Sequence, residues 1–309
     1  MKVLTSIAAV TRSGLADMKK TLLDLLPPAM VASVLTFWAY APATWTKPSW
    51  SITVAAWVTM ALIQALELVA ERHPGWRINW RELLTDMFYV GLSATAISWA
   101  AATFADDPVR AAKDALGIAT PGIKDWPFLI QVGAVLVLFE FGQYWMHRLM
   151  HNNALLWSTH APHHHVTQLN AMKGAVGNPI EMFLINLSIL ALFDFPQTAL
   201  FAAFNVMTVV VAFAHANVRS DPPIWYGYFF TTIRHHSLHH TALSYEDTRW
   251  NYGNALILFD RIFGTYREGE SAIVGQDERK RLSIGEQFMF PFRPLVAKFK
   301  AKRAASSGL

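Results

Sequence analysis

The sequence predicts an all-α integral membrane protein, and three of its features support this fold class. Hydrophobic residues make up 53% of the 309 residues and charged residues only 16%, whereas about 25% of residues are charged in ordinary soluble domains. Four segments with at most one charge are long enough to cross a bilayer, which takes about 20 apolar residues in a helix. The chain also contains 12 Trp and 20 Phe, and aromatic rings are enriched at membrane interfaces.

The N-terminal region, residues 1–84, is predicted to contain a surface helix and two membrane spans. The amphipathic pattern before the first span suits a helix that lies on a membrane surface. The two spans cover 25–46 and 48–66, and neither contains a charge. Pro27 and Pro28 are expected to mark the start of the first span, because proline is tolerated at the beginning of a helix and not in its interior.

Two further spans and a short membrane hairpin follow. The spans cover 87–105 and 126–146. The segments 182–193 and 198–214 are separated by Asp194, and the first of them is short for a full crossing. A hairpin that enters the membrane and returns explains this pattern, so the predicted fold has four long transmembrane helices, this hairpin and a cytosolic helical cap.

The distribution of Lys and Arg predicts the orientation. Basic residues occur at the N-terminus, after the second span and in the tail at 269–309, which fall on one side when the number of spans is even. That side is predicted to be the cytoplasm. The net charge of +4 favours contact with lipid headgroups, not with nucleic acid.

Eleven of the 12 histidines lie between His147 and His240, in groups with the spacing of metal ligands. Residues i and i+4 share one face of a helix, so both imidazoles of such a pair can reach one ion. The groups are HRLMH, HAPHHH, a single histidine at the end of the hairpin, and HHSLHH. They contain His147, His151, His160, His163, His164, His165, His215, His235, His236, His239 and His240.

The ligand types limit the metal. The chain has no cysteine, which excludes a thiolate site, and imidazole nitrogen suits zinc, iron, copper or nickel. One zinc takes three or four ligands, so this many candidates predict two ions. His73 stands alone in a polar loop and is predicted to be solvated.

Two polar residues precede the first histidine group on the same face of the helix. Glu140, Gln143 and His147 are three and four residues apart. A ligating imidazole usually donates its other N–H to a carboxylate or an amide. Glu140 and Gln143 are therefore predicted to orient the metal ligands, with Glu140 accepting the N–H of His147.

The boxes HRLMH, HAPHH and HSLHH, in this order between membrane hairpins, resemble those of the fatty acid hydroxylase and sterol desaturase superfamily. The stretches FAHANVR at 213–219 and NYGNALILFDRIFGTYRE at 251–268, together with Asn170, look like its bacterial sterol-desaturase-like branch. The resemblance covers 85–268, the predicted catalytic region. It implies metal ligands at His147, His151, His160, His163, His164, His215, His236, His239 and His240, whereas His165 and His235 match no ligand of the superfamily.

The resemblance implies a non-haem di-iron centre that uses O2 to hydroxylate a lipid, with desaturation by the same site as the alternative. The reaction needs two external electrons, and the sequence contains neither a GxGxxG motif nor a cysteine for an iron–sulfur cluster. A separate donor is therefore expected, such as a ferredoxin or a small cytochrome with an NAD(P)H-dependent reductase. The sequence does not select among lipid substrates.

Two other classes of protein fit parts of the pattern. A haem-binding membrane electron carrier uses paired histidines in the middle of facing spans, whereas these histidines cluster at the ends of spans. A zinc-dependent membrane hydrolase fits the histidines, but the HExxH motif is absent from the sequence.

Overall fold

A computed structural model describes residues 2–243, 246–276 and 279–296 of the chain. The described part is all-helical and contains no β-strand, only two isolated bridges between Glu71 and Val218 and between Thr241 and Val274. The predicted fold class is confirmed. Residues 297–309, which belong to the predicted basic tail, lie outside the described residues.

In the described part of the chain, eleven α-helical segments of five or more residues form the fold, and a one-turn helix at Ala43–Thr46 lies between the first two. The third is one continuous segment that includes two π-helical stretches, Ser93–Ile97 and Ala102–Asp106. In chain order the segments are α1 (Lys2–Tyr40), α2 (Trp50–Val69), α3 (Trp80–Ala115), α4 (Phe128–Asn152), α5 (Ala154–His164), α6 (Pro179–Ile185), α7 (Gln197–His215), α8 (Ile224–Phe229), α9 (Ile233–His239), α10 (Leu258–Ile262) and α11 (Ile284–Met289).

Among the described residues, five helices are long and apolar enough to cross a membrane. Four of them, in α1 from Asp17 to Tyr40 and in α2, α3 and α4, correspond to the four predicted spans. The fifth is α7, which the sequence predicted as the second half of the hairpin. Two-thirds of the apolar stretch of α7 is buried, because α7 packs against α1, α2 and α4 at the centre of the fold.

The first helix begins earlier than predicted. α1 continues through Pro27 and Pro28, so the prediction that these prolines start the helix is wrong. Leu23 and Leu26, in the turn before the prolines, pack against a cluster that includes the buried Ile63 of α2. This packing stabilises helical structure on both sides of the prolines, and the predicted surface helix is continuous with the first span.

The first half of the predicted hairpin is a broken helix. α6 ends at Ile185, and only a 3₁₀ turn at Leu190–Leu192 follows before Asp194. Asp194 lies at the end of the fold opposite the histidines, where it contacts Lys113 and the backbone N–H of Thr120. Non-helical backbone at membrane depth is tolerated where its N–H and C=O groups are buried in protein or line a water-filled cavity.

A buried ion cluster joins α3 to the loop that follows α5. Lys173 is 2% exposed, and its ammonium group contacts carboxylate oxygens of Glu82, at 2.5 Å, and Asp86, at 2.7 Å. Arg281 also contacts Glu82, and the Asn170 side chain donates to Asp86 at 2.8 Å. These contacts connect α3, the loop and the segment before α11, and thereby anchor the loop beneath the histidines.

A second buried acid connects α2 to two loops. Glu67 is 6% exposed, and one of its oxygens accepts the backbone N–H groups of Ala171 and Asn217, at 2.7 and 3.1 Å. Its other oxygen accepts the side-chain N–H of Gln64 at 2.6 Å. Ala171 follows the second histidine box and Asn217 follows His215, so Glu67 holds the backbone beside both.

We expect Lys173→Met to destabilise the fold strongly, because two buried carboxylates would lose their shared cation. Breaking a buried ion pair from one side costs about 3–5 kcal/mol. The control is Lys280→Met, since Lys280 pairs with Glu286 on the surface, where a pair contributes about 0–1 kcal/mol. Thermal unfolding in detergent measures both variants, and equal unfolding temperatures would contradict the role given to Lys173.

Candidate metal centre

The structure brings the nine histidines predicted as ligands together in two adjacent groups. Within each group, the candidate ligand atoms all lie within 4.8 Å of one another. The groups are adjacent because the rings of His164 and His240 stack with centroids 4.4 Å apart. The five-histidine group consists of His147, His151, His160, His164 and His239, and the four-histidine group of His163, His215, His236 and His240.

Helix geometry explains how the boxes divide between the groups. Residues four apart enter the same group in α4 (His147 and His151) and in α5 (His160 and His164). Consecutive helical residues point about 100° apart, so His163 enters the other group. His236 and His240, four apart at the end of α9, enter the four-histidine group together.

The distances between imidazole nitrogens fit metal coordination. In the five-histidine group, Nε2 of His160 lies 3.0–3.1 Å from Nε2 of His147, His151 and His164. Nε2 of His236 lies 2.9 Å from that of His215 and 3.1 Å from that of His240. Two nitrogens bound at right angles to one ion at about 2.1 Å are about 3.0 Å apart.

Hydrogen bonding among the imidazoles does not explain these distances. Nδ1 of His160 lies 2.7 Å from a carboxylate oxygen of Glu181, and donation of the ring's proton to that oxygen would leave Nε2 unprotonated. Nε2 of His160 then has a single lone pair facing three other nitrogens. A cation shared by the four rings satisfies this arrangement, and three hydrogen bonds to one lone pair do not.

Backbone carbonyls orient four of the eight remaining rings. Nδ1 of His147, His163 and His239 each lies 2.7 Å from a carbonyl oxygen, of Tyr252, Val176 and Trp250 respectively. Nδ1 of His215 lies 2.9 Å from the oxygen of Val211. Donation of the Nδ1 proton leaves the Nε2 lone pair free to point into the cluster.

Burial keeps the imidazoles in and next to α5 and α9 neutral, which is the form that binds metal. All nine side chains are at most 6% exposed. Burial lowers the pKa of His160 to about 3. Burial, followed by repulsion from neighbouring imidazoles, holds the pKa of His164, His239 and His240 well below the usual range. These rings are therefore neutral at neutral pH, as metal ligation requires.

The predicted contact between Glu140 and His147 is wrong. The partner of His147 Nδ1 is the Tyr252 carbonyl, and one carboxylate oxygen of Glu140 instead accepts the backbone N–H groups of Ala255 and Leu256, at 2.8 and 2.9 Å. The loop that follows Tyr252 therefore comes between the two side chains. Glu140 holds this loop in place, so it acts on His147 only through the backbone.

Gln143 also contacts backbone and loop groups. Its amide nitrogen donates to the carbonyl of Ile185, the last residue of α6, at 3.2 Å, and its amide oxygen accepts from the Asn254 side chain at 3.2 Å. Gln143 therefore does not make the predicted contact with a metal ligand, but supplies a hydrogen bond to the backbone at the end of α6. The helical spacing correctly placed both side chains facing the protein interior, but it could not identify these long-range partners.

Three histidines lie outside both groups. Nδ1 of the buried His165 lies 2.7 Å from the Ala161 carbonyl, and that of the buried His235 lies 3.3 Å from the Thr232 hydroxyl. His73 is not solvated as predicted, because its Nε2 lies 2.8 Å from Glu270, which also pairs with Arg72. Glu270 is distant in sequence, so no local pattern indicated this contact.

Sequence reasoning missed the carboxylate of Glu181. It is 7% exposed and contacts the ring at the centre of the five-histidine group. The sequence around Glu181 indicates only a helix start, since Asn178 and Glu181 form a capping box and Pro179 is the first residue of the helix. Such a box is a common local motif, and nothing in its sequence indicates a nearby imidazole.

The described fold is that of a helical membrane protein with a polyhistidine cluster that could hold metal, and comparisons with known proteins show what the chain is similar to. Residues 132–265 match the family model Fatty acid hydroxylase. This match, together with homologues in the sterol desaturase/hydroxylase superfamily, confirms the resemblance found in the sequence. Members of the family are oxygen-dependent lipid monooxygenases and desaturases.

Three relatives illustrate the range of the homologues. An ornithine lipid hydroxylase of Rhizobium tropici is 29% identical over 79% of this chain and 75% of its own length. An alkylglycerol monooxygenase of Homo sapiens is 30% identical over 44% of this chain and 31% of its own. A probable Δ(7)-sterol 5(6)-desaturase of Neurospora crassa is 25% identical over 50% of this chain and 43% of its own. The chain thus matches less than half of the last two proteins, and no solved structure matches it significantly.

We expect His239→Ala and His240→Ala each to lower the bound metal, because they remove one nitrogen from the five- and four-histidine groups respectively. The loss in affinity should exceed the roughly 10–100-fold that follows loss of an outer partner of a ligand. Elemental analysis of purified protein measures the metal. His165→Ala is the control in the same region, and it should retain the wild-type metal content; full metal content in His239→Ala or His240→Ala would exclude that residue from the centre.

We expect Glu140→Leu to lower the unfolding temperature, because two buried N–H groups would lose their acceptor at about 1–3 kcal/mol each. Glu140→Gln keeps an acceptor oxygen and should be milder. Asp114→Leu, an acid-to-leucine change at an exposed position of α3, is the control and should change the unfolding temperature little. Metal content distinguishes the two possible roles: an unchanged unfolding temperature with lost metal would mean that Glu140 acts on the ligands and not on the loop.

Proposed function

We propose that this chain is a membrane-bound non-haem di-iron lipid hydroxylase, with one iron ion held by each histidine group. The observation that carries the proposal is the convergence of nine buried imidazole nitrogens, most of them with Nδ1 hydrogen-bonded to the protein. Nine nitrogens exceed the needs of one ion and suit two, as imidazole suits iron. The ornithine lipid hydroxylase that aligns over most of the chain supports hydroxylation, and the sterol desaturase supports lipid desaturation as the alternative.

The proposed reaction consumes O2, two electrons and two protons for each turnover. Hydroxylation replaces one C–H bond of the lipid by C–OH and releases one water; desaturation removes two hydrogens and releases two waters. Bound iron would supply the activation of O2 that no amino-acid side chain can supply. The chain's own residues would hold the ions, keep the cap imidazoles neutral through burial, and exclude water from the site.

The electrons are proposed to come from a separate protein, a ferredoxin or a small cytochrome with an NAD(P)H-dependent reductase. The chain has no cysteine for an iron–sulfur cluster. We further propose that the site faces the cytoplasm of a bacterial inner membrane. Basic residues at the histidine end of the helices support this orientation: Lys19 lies 3.5 Å from the Val69 carbonyl at the end of α2, and Arg72 and Arg77 follow that helix.

Residues 85–268 are proposed as the catalytic region. Contacts from the N-terminal flank support its position, because Glu67 holds Asn217 and Glu82 pairs with Lys173. The two flanking regions are also joined to each other, by the pairs Arg72–Glu270 and Glu82–Arg281. In this arrangement the N-terminal spans and the segment after residue 268 stabilise the histidine cap.

We expect purified, iron-loaded protein to be inactive with NADPH alone and to turn over once a ferredoxin and its reductase are added, because no donor site is proposed within the chain. Membrane lipid extract is the substrate, and mass spectrometry under ¹⁸O2 reads the product. A lipid that gains one labelled oxygen supports hydroxylation, whereas one that loses two hydrogens without label supports desaturation. The matched control is His239→Ala.

Metal analysis and an optical spectrum of the same preparation separate the other classes of protein. Two irons per chain without a Soret band support the proposal. A Soret band would indicate a haem carrier, and zinc without iron would indicate a hydrolase; either result would overturn the proposed function.

A further inference from the structure

The five-histidine group contains one imidazole whose Nδ1 contacts an acid. Nδ1 of His160 lies 2.7 Å from Oε1 of Glu181, whereas Nδ1 of His147 and His239 in the same group faces neutral backbone carbonyls. In the four-histidine group, the Nδ1 partners described for His163 and His215 are also carbonyls. An outer hydrogen-bond partner of this kind fixes the tautomer and the rotation of a ligating imidazole.

His160 occupies the centre of its group. Its Nε2 lies within 3.1 Å of the Nε2 atoms of His147, His151 and His164. An error in the rotation of this ring would misplace the nitrogen that all three neighbours approach. The orientation of His160 therefore matters more to the group than that of a ring at its edge.

The carboxylate of Glu181 is itself fixed from two sides. Its other oxygen accepts the backbone N–H of Asn178 at 3.3 Å in the capping box of α6. A Cβ atom placed on Gly177 would lie 2.3 Å from that oxygen, so glycine leaves just enough space for the carboxylate. The Asn178 side chain donates to the carbonyls of Gln287 and Phe288, at 2.8 and 3.0 Å, which anchors the capping box to α11.

We propose that Glu181 is the positioning residue for His160, and that this contact strengthens metal binding by the five-histidine group and not by the four-histidine group. This inference rests on the proposed function, which assigns one ion to each group. Glu181 fixes the ring so that Nδ1 keeps the proton and Nε2 faces the ion. The four-histidine group has no such contact among its described Nδ1 partners.

The experiment measures cobalt(II) binding at each group separately. In a His240→Ala background the four-histidine group is disabled, so bound cobalt reports the five-histidine group. In a His239→Ala background the five-histidine group is disabled, so bound cobalt reports the four-histidine group. We expect Glu181→Gln to weaken cobalt binding about 10–100-fold in the first background and to leave it unchanged in the second. Competition with a chelator gives the affinity, and the visible ligand-field spectrum of the cobalt gives the ligand geometry.

A matched control separates this role from helix capping. Glu286 occupies the same position in the capping box of α11, where it accepts from Ser283 on the exposed surface. Glu286→Gln should leave cobalt binding unchanged in both backgrounds. Equal effects of Glu181→Gln and Glu286→Gln, or equal effects of Glu181→Gln in the two backgrounds, would overturn the inference.

Gly177→Ala tests the same contact without altering the acid. The added methyl group displaces the Glu181 carboxylate, so cobalt binding should weaken in the His240→Ala background, and the double variant with Glu181→Gln should lose little more than either single variant. Additive losses would overturn the inference.

The proposed function fails in a different way: if the protein with all nine histidines does not bind two ions, or if His239→Ala and His240→Ala do not each remove one, the assignment of ions to groups is wrong whatever Glu181 does.

Discussion

The donation of Nδ1 protons to the protein is the interaction on which the centre depends. Nine neutral rings are buried together, and each must present a lone pair to the interior of its group. A ring that rotated by half a turn would present Nδ1 or a carbon atom instead. The carbonyls of Tyr252, Val176 and Trp250 and the carboxylate of Glu181 prevent this rotation in four of the rings, so the geometry of the histidine cluster depends on groups that lie outside the histidine boxes.

That backbone is held by buried charges distant from the histidines in sequence. Glu140 fixes the loop after Tyr252, Glu67 fixes the chain beside Asn217, and Lys173 is fixed to α3 by Glu82 and Asp86. Each acid accepts backbone N–H groups or contacts a cation, which is how a charge is accommodated away from water. Four acidic residues of the apolar helices, Glu67, Glu82, Asp86 and Glu140, therefore support the backbone around the histidines.

Local spacing was sufficient to identify the nine candidate ligands, because the i, i+4 rule depends only on helix geometry. It was insufficient for Glu140, whose partners Ala255 and Leu256 are more than 100 residues away, and for His73, whose partner Glu270 is nearly 200 residues away. Glu181 was not predicted for a different reason: helix capping at the start of α6 is sufficient to explain an acid at this position. The extent of the long helices was largely predictable, but the path of α1 through Pro27 and Pro28 depended on packing against α2.

The division of ligands between the groups has a consequence for biosynthesis. The five-histidine group draws on residues from His147 to His239, and the four-histidine group on residues from His163 to His240. The ribosome must therefore translate α9 before either group has its full set of nitrogens, and by then α4, α5 and α7 have already been synthesised. Under the proposed function, metal capture is consequently a late step in maturation, because a nascent chain truncated before α9 lacks part of the histidine set of each group.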